Sequence, residues 1–155
     1  MKILLVAPQS KDTVLGVIGN FCKSALVNLG YSIDIFDFRE SQYLKSSLGA
    51  FFKKAIKKFY STPREQFPLA RPLHNKKMNS ALIEKVRQYK PDVMLVLMGD
   101  GIFAESLKEI KKLGVKTANW FTDTVLDPRR NRKEFLDSIS CHYDYFFIYD
   151  NEAVL

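Results

Sequence analysis

Lys90-Pro91-Asp92-Val93-Met94-Leu95-Val96-Leu97-Met98-Gly99-Asp100-Gly101 decides how this chain is read. Pro91 stops a preceding helix and biases Lys90 away from the right-handed helical region, and the apolar run that follows is too short for a helix and rich in Val and Leu. It reads as a strand buried on both faces. Such strands belong to parallel sheets covered by helices on either side, where ligand crevices open at the carboxyl ends of the strands. Gly99-Asp100-Gly101 stands at such an end. The glycines allow a sharp turn and close approach of the backbone to a ligand, and Asp100 either offers a carboxylate or caps the helix that begins near Phe103.

On the amino-terminal side of this strand, Met78, Leu82, Ile83, Val86 and Tyr89 mark the helix that leads into it. On the other side, Phe103 to Leu113 reads as a helix ended by Gly114, and Val115 to Phe121 as the next strand. The exit of that strand is Asn119-Trp120-Phe121-Thr122-Asp123-Thr124. Asp127 is placed as N-cap and Pro128 as first residue of a helix over Arg129 to Ile139, and Tyr145 to Tyr149 makes the last strand. The chain begins with a short aliphatic strand, Lys2 to Ala7, and a polar loop. A helix follows over Val14 to Leu29, apolar at Leu15, Ile18, Phe21, Cys22, Ala25, Leu26 and Leu29 and closed by Gly30. Tyr31 to Phe36 is the second strand, with Asp34 and Asp37 near its exit. The order predicts a single α/β domain over 1–155, a Rossmann-like three-layer structure with a mainly parallel five-stranded sheet.

Gly16-Val17-Ile18-Gly19-Asn20 lies where the first helix starts, a place whose free amides and positive dipole end favour an anion. It is neither GxGxxG nor a P-loop, so neither a dinucleotide site nor an ATPase is supported. Gly16 and Gly19 serve either ligand approach or close packing of the helix on the sheet. Without the glycine fingerprint, Asp37 reads as a loop carboxylate rather than a ribose ligand.

The net charge of +7 is uneven. From Arg39 to Lys90 there are 13 Lys and Arg against 3 Glu, a balance of +10, so the rest carries −3. Within this stretch Leu44, Leu48, Phe51, Phe52, Ala55, Ile56 and Phe59 repeat at helical spacing, with lysines mostly off the stripe. Packing of the stripe on the sheet is the simpler account, and weak contact of residues 45–58 with an anionic membrane surface the other. Ser61 to Lys77, with Pro63, Pro68 and Pro72, reads as a connection, and His74 within it as solvated. Cys22 and Cys141 lack CxxC or His-rich company, which argues against a zinc site and a disulfide scaffold. The five apolar residues after Lys2 are too few for a signal or membrane segment, so a cytoplasmic protein is expected. No pattern for specific nucleic-acid binding accompanies the basic segment.

The phrases Lys90-Pro91-Asp92-Val93-Met94-Leu95-Val96-Leu97, Gly114-Val115-Lys116-Thr117-Ala118-Asn119-Trp120-Phe121-Thr122-Asp123 and Tyr143-Asp144-Tyr145-Phe146-Phe147 resemble the amino-terminal half of CgeB-type spore-maturation glycosyltransferases. The resemblance follows the whole chain in element order, with specific motifs from Pro91 onward. It implies a GT-B enzyme, in which two Rossmann-like domains face each other across a cleft. This chain would be the amino-terminal, acceptor-side half, inactive alone and completed by a carboxyl-terminal domain that binds the nucleotide-diphosphate sugar donor. The partner molecule would be a sugar-bearing or other hydroxyl acceptor, with neither metal nor cofactor in this half. The family's Trp-x-x-Asp-Asp-Pro is here Trp120-Phe121-Thr122-Asp123-Thr124-Val125, so one Asp and the Pro are absent.

Asp123, matching the first Asp, becomes the candidate catalytic base, since a carboxylate within reach of an acceptor hydroxyl can take its proton. Capping of a turn is its other reading. Gly16, Gly19, Gly99, Asp100, Gly101, Trp120 and Thr122 are the candidate substrate-binding residues. Trp120 either stacks on a sugar or base or is a core residue. The competing functional expectation is a non-catalytic module of flavodoxin-like or receiver-like type. Pro8-Gln9-Ser10 after the first strand lacks a receiver's acidic pair, and Ser10 with Thr13 is a thin version of a flavin phosphate loop.

Overall fold

The computed structural model describes residues 1–9, 13–38, 70–99, 101–122 and 139–148. The elements are β1 (Lys2–Val6), α1 (Val14–Asn28), β2 (Ser32–Phe36), α2 (Ala70–Tyr89), β3 (Val93–Leu97), α3 (Ala104–Lys112), β4 (Lys116–Phe121), a 3₁₀ turn (Ser140–His142) and β5 (Tyr145–Ile148). The five strands form one sheet in the order β2-β1-β3-β4-β5, every pair parallel. This is a Rossmann-like α/β domain, as the strand and helix pattern predicts. The expected helices over 44–59 and most of 129–139 fall outside the described residues.

The handedness of parallel crossovers explains the layers. From β1 the chain moves outward to β2, then crosses back over β1 to β3 and continues to β4, so right-handed connections put α1 on one face and α2 and α3 on the other. The two faces of each strand serve different cores. Leu4, Val6, Met94 and Val96 pack with Met78, Leu82 and Val86 of α2 and Leu107 and Ile110 of α3. Leu5, Ala7, Leu95 and Leu97 meet Ile18 and Cys22 of α1. Leu15, from the first turn of α1, touches all three apolar clusters of the domain and joins them where the helix enters.

The ends of α1 follow its sequence closely. Thr13 is the N-cap, its side chain accepting from the Gly16 amide at 3.2 Å. At the other end Gly30, at φ +82°, donates to Val27 O while Tyr31 donates to Leu26 O, the paired bonds of a Schellman motif. α2 starts earlier than its apolar spacing suggests. Residues 70–77, expected in a connection, are helical and include His74. Pro72 is the third helical residue, inside the first turn, where no backbone N–H has an intrahelical acceptor, so its missing donor costs nothing. At the opposite end Lys90, before Pro91, leaves the right-handed region for φ +50°.

Candidate functional site at the carboxyl edge of the sheet

The strand order reverses between β1 and β3, and the crevice outside their carboxyl ends is where open α/β sheets take ligands. β1 leaves through Pro8 and Gln9. The Gln9 amide donates to Asp37 Oδ2 at 2.7 Å, so Asp37 ties the exits of β1 and β2 together, the loop role expected of it. Gly19 is buried in α1 against this exit: a Cβ there would stand 2.9 Å from Pro8 O and 3.1 Å from Ala7 Cβ. Its bare Cα lets the helix lie directly on the strand. Gly16 is also buried, and its amide is taken by Thr13. Both glycines therefore take part in docking and capping α1.

β3 leaves through a tighter construction. Gly99 N donates to Leu97 O at 3.0 Å across Met98, which sits at φ +69°. This is a γ-turn of the rarer positive-φ kind, a conformation that costs energy for a residue with a side chain. Two bonds from β4 hold it: the Met98 amide donates to Trp120 O at 3.1 Å, and Asn119 Nδ2 donates to Met98 O at 3.0 Å. The next turn closes with Ile102 N donating to Gly99 O at 3.1 Å. Gly101 O then accepts from Asn79 Nδ2 at 2.7 Å, and the Phe103 amide donates to Asn79 Oδ1 at 2.9 Å. Phe103 occupies the N-cap position of α3 with no side-chain oxygen of its own to give. Asn79, reaching from α2, instead accepts from the amide of the N-cap residue itself and so fixes the entry into the helix.

Asn119 and Tyr143 complete this edge. Both are buried, at 1% and 6% exposure, on the face shared with α2 and α3, and both adjoin Gly99. Burial pushes the Tyr143 phenol far above its ordinary pKa, and the neighbouring Asn119 side chain offsets this only in part. The phenol is therefore a neutral hydroxyl across the physiological range. Trp120 points the other way. It pairs in register with Leu97 and Phe147, on the face that α1 covers over β1 and β3, and is 39% exposed beside exposed Tyr145 and Phe147. The reading of Trp120 as a core residue does not hold. Thr122 follows the last residue of β4 and is half-buried. The structure thus brings Gly99 and Gly101 to one edge and sets Trp120 on a different surface. Asp100 and Asp123 lie outside the described residues.

Sequence reasoning passed over Asn79, Asn119 and Tyr143. A polar residue inside a buried strand, as in Ala118-Asn119-Trp120, was the available signal, because its amide must find partners. Below this edge, Asp144 anchors β5 to β4. Its Oδ2 accepts from the Thr117 amide at 2.8 Å and from Thr117 Oγ1 at 3.0 Å, and Lys111 Nζ stands 3.3 Å from Oδ1. Desolvation alone would raise its pKa, but the Thr117 and Lys111 interactions together outweigh it and hold the carboxyl below its ordinary value. A depressed folded-state pKa adds stability that is present above the unfolded carboxylate pKa of about 3.9 and lost as pH falls through the folded value. Asp144→Ala leaves the amide of the fully buried Thr117 unpaired and is expected to cost about 1–3 kcal/mol at pH 7. In urea titrations the gap from the unmodified protein should narrow as pH drops below about 4. A gap that is constant with pH would mean the charge contributes nothing.

Among the described residues no group of His, Cys, Asp or Glu side chains is arranged to hold a metal ion, and no helix is long and apolar enough to cross a membrane. The amide and phenol here are neutral and offer hydrogen bonding rather than charge. No protein-family model matches the sequence, and no curated protein matches it.

Proposed function

We propose that this chain is the acceptor-binding, amino-terminal domain of a nucleotide-sugar-dependent glycosyltransferase of the CgeB-like GT-B kind. The observation that supports the reading is positional: the segments carrying the resemblance form β3, β4 and β5, and buried Asn119 of β4 and Tyr143, two residues ahead of β5, both adjoin Gly99 at the β3 exit. On this reading an acceptor hydroxyl lies over the β3 and β4 exits, and Asp123, one residue beyond Thr122, removes its proton as the hydroxyl oxygen bonds the anomeric carbon and the bond from that carbon to the donor's diphosphate breaks, releasing the nucleoside diphosphate. The donor sits mainly on a second domain. Calorimetric titration with uridine, guanosine and thymidine diphosphate sugars tests this. A longer protein containing this domain should bind one of them and the 155-residue chain none, and Asp123→Asn in the longer protein should lower transfer about 10²–10⁴-fold with donor binding retained. Transfer unaffected by Asp123→Asn would remove the base from the scheme, and no donor binding by the longer protein would remove the scheme.

The strand order supports a second reading, because β2-β1-β3-β4-β5 is the order of flavodoxin-like folds, which bind a mononucleotide at the β1/β3 switch point. Saturable quenching of flavin mononucleotide fluorescence by the chain would favour it. An unchanged flavin signal would dismiss it.

A further inference from the structure

Trp120, Tyr145 and Phe147 are all exposed on one face of β4 and β5. Trp120 and Phe147 are paired in register, and Tyr145 is two residues back along β5, so the three form one aromatic patch. All-parallel sheets occur almost only with both faces covered, yet the apolar cluster under α1 draws on β1, β2 and β3 alone. The connections between the elements point to the other face. Phe38, where residues 39–69 depart, is buried in the core under α2 and α3, and α2, where they return, lies over that core. Ile139, at the far end of the connection from β4 to β5, is buried in the same core, as a right-handed crossover requires.

We propose that residues 150–155 fold back from the exit of β5 and cover Trp120 and Phe147, with Val154 and Leu155 as the apolar contact. Reach and pattern carry the assignment. Ile148, the last residue of β5, stands in register with Phe121, and residues 149–155 span up to about 23 Å when extended, so Trp120 on the neighbouring strand is well within reach. In Tyr149-Asp150-Asn151-Glu152-Ala153-Val154-Leu155, Asp150 suits an N-cap. One helical turn behind it sets Val154 and Leu155 side by side and turns Glu152 to the opposite side, toward water. Such a turn is not stable alone and forms where it packs. Tyr145, further from the β5 exit, stays exposed. Trp120 then serves packing rather than acceptor binding, and the sugar-transfer reading does not depend on it.

Trp120 is the single tryptophan of the chain and reports on the contact directly. In the 155-residue chain, Val154→Asp is expected to shift the Trp120 emission to longer wavelength and raise its quenching by acrylamide, with the docking constant lowered about tenfold or more and the far-ultraviolet circular dichroism little changed. Glu152→Ser, on the water side, should leave the emission as it is. Emission unmoved in Val154→Asp overturns the assignment. So does emission that shifts on dilution of the chain but not in Val154→Asp, which would make a second copy the cover, and so does a shift in Phe52→Asp alone, which would give the face to residues 44–59. A double-mutant cycle in urea between Val154→Ala and Phe147→Ala reads the contact independently of fluorescence. Coupling between the two supports it, and strict additivity overturns it.

Discussion

Gly99→Ala is expected to lower the unfolding free energy by about 3 kcal/mol. Two costs combine. At φ +83° an L-residue gives up about 1–2 kcal/mol, and the new methyl group would stand 2.8 Å from Cγ1 of the fully buried Val96, an overpacking that typically costs about 1–3 kcal/mol. Neither cost is easily relieved. The preceding Met98 is held in its own left-handed turn from both sides by β4, so the chain cannot rotate at Gly99 without breaking the bond from Asn119 Nδ2 to Met98 O. Denaturant midpoints with an unchanged slope would measure the loss. A midpoint matching the unmodified protein would show that the β3 exit relaxes freely, and with it that the geometry around Asn119 and Tyr143 is not fixed.

Asn79→Ala is expected to cost about 2–3 kcal/mol. The side chain is 3% exposed and makes three bonds: to Asn75 O at 2.7 Å, to Gly101 O at 2.7 Å, and from the Phe103 amide at 2.9 Å. Truncation leaves the Phe103 amide without its acceptor and strands the Gly101 carbonyl next to a helix face, losses of about 1 kcal/mol or more each. Asn79→Asp separates the two parts, because it keeps an acceptor for Phe103 N–H and loses the donors to Asn75 and Gly101. It should recover part of the stability lost in Asn79→Ala. An Asp variant no better than Ala would assign the whole effect to the donor side.

The frame of this fold is legible in the sequence because its signals are local. Five short apolar runs become five strands, and Gly30 and Gly114 end helices where they were expected to. The run from Val93 to Leu97 alternates between two cores, as a strand covered on both faces must. What escaped reading depends on contacts made far along the chain. Asn119 finds its acceptor 21 positions away and Asn79 its partners 22 and 24 positions away, and no spacing rule encodes such pairings. Trp120 shows a further limit. Alternation says that it lies opposite Asn119 and Phe121, but only the direction of each crossover decides which side of β4 and β5 receives a helix. Residues 70–77 were missed for a third reason: Pro72 is read as a breaker unless the helix start is already known, and in the first turn it breaks nothing.

The position of β1 between β2 and β3 bears on how the chain assembles. Lys2 meets Ser32 and Val93 meets Lys116, so each strand-helix-strand half closes over a short span, whereas Ile3 meets Val93 across 90 positions. A loop about three times longer adds about 1 kcal/mol of closure entropy. The β1–β3 seam is therefore the most expensive junction of the sheet to secure, and it coincides with the crevice at which the strand order reverses. A ligand bridging that crevice would fasten the two halves to each other, so its binding energy would add to the cooperativity of folding as well as to occupancy of the site.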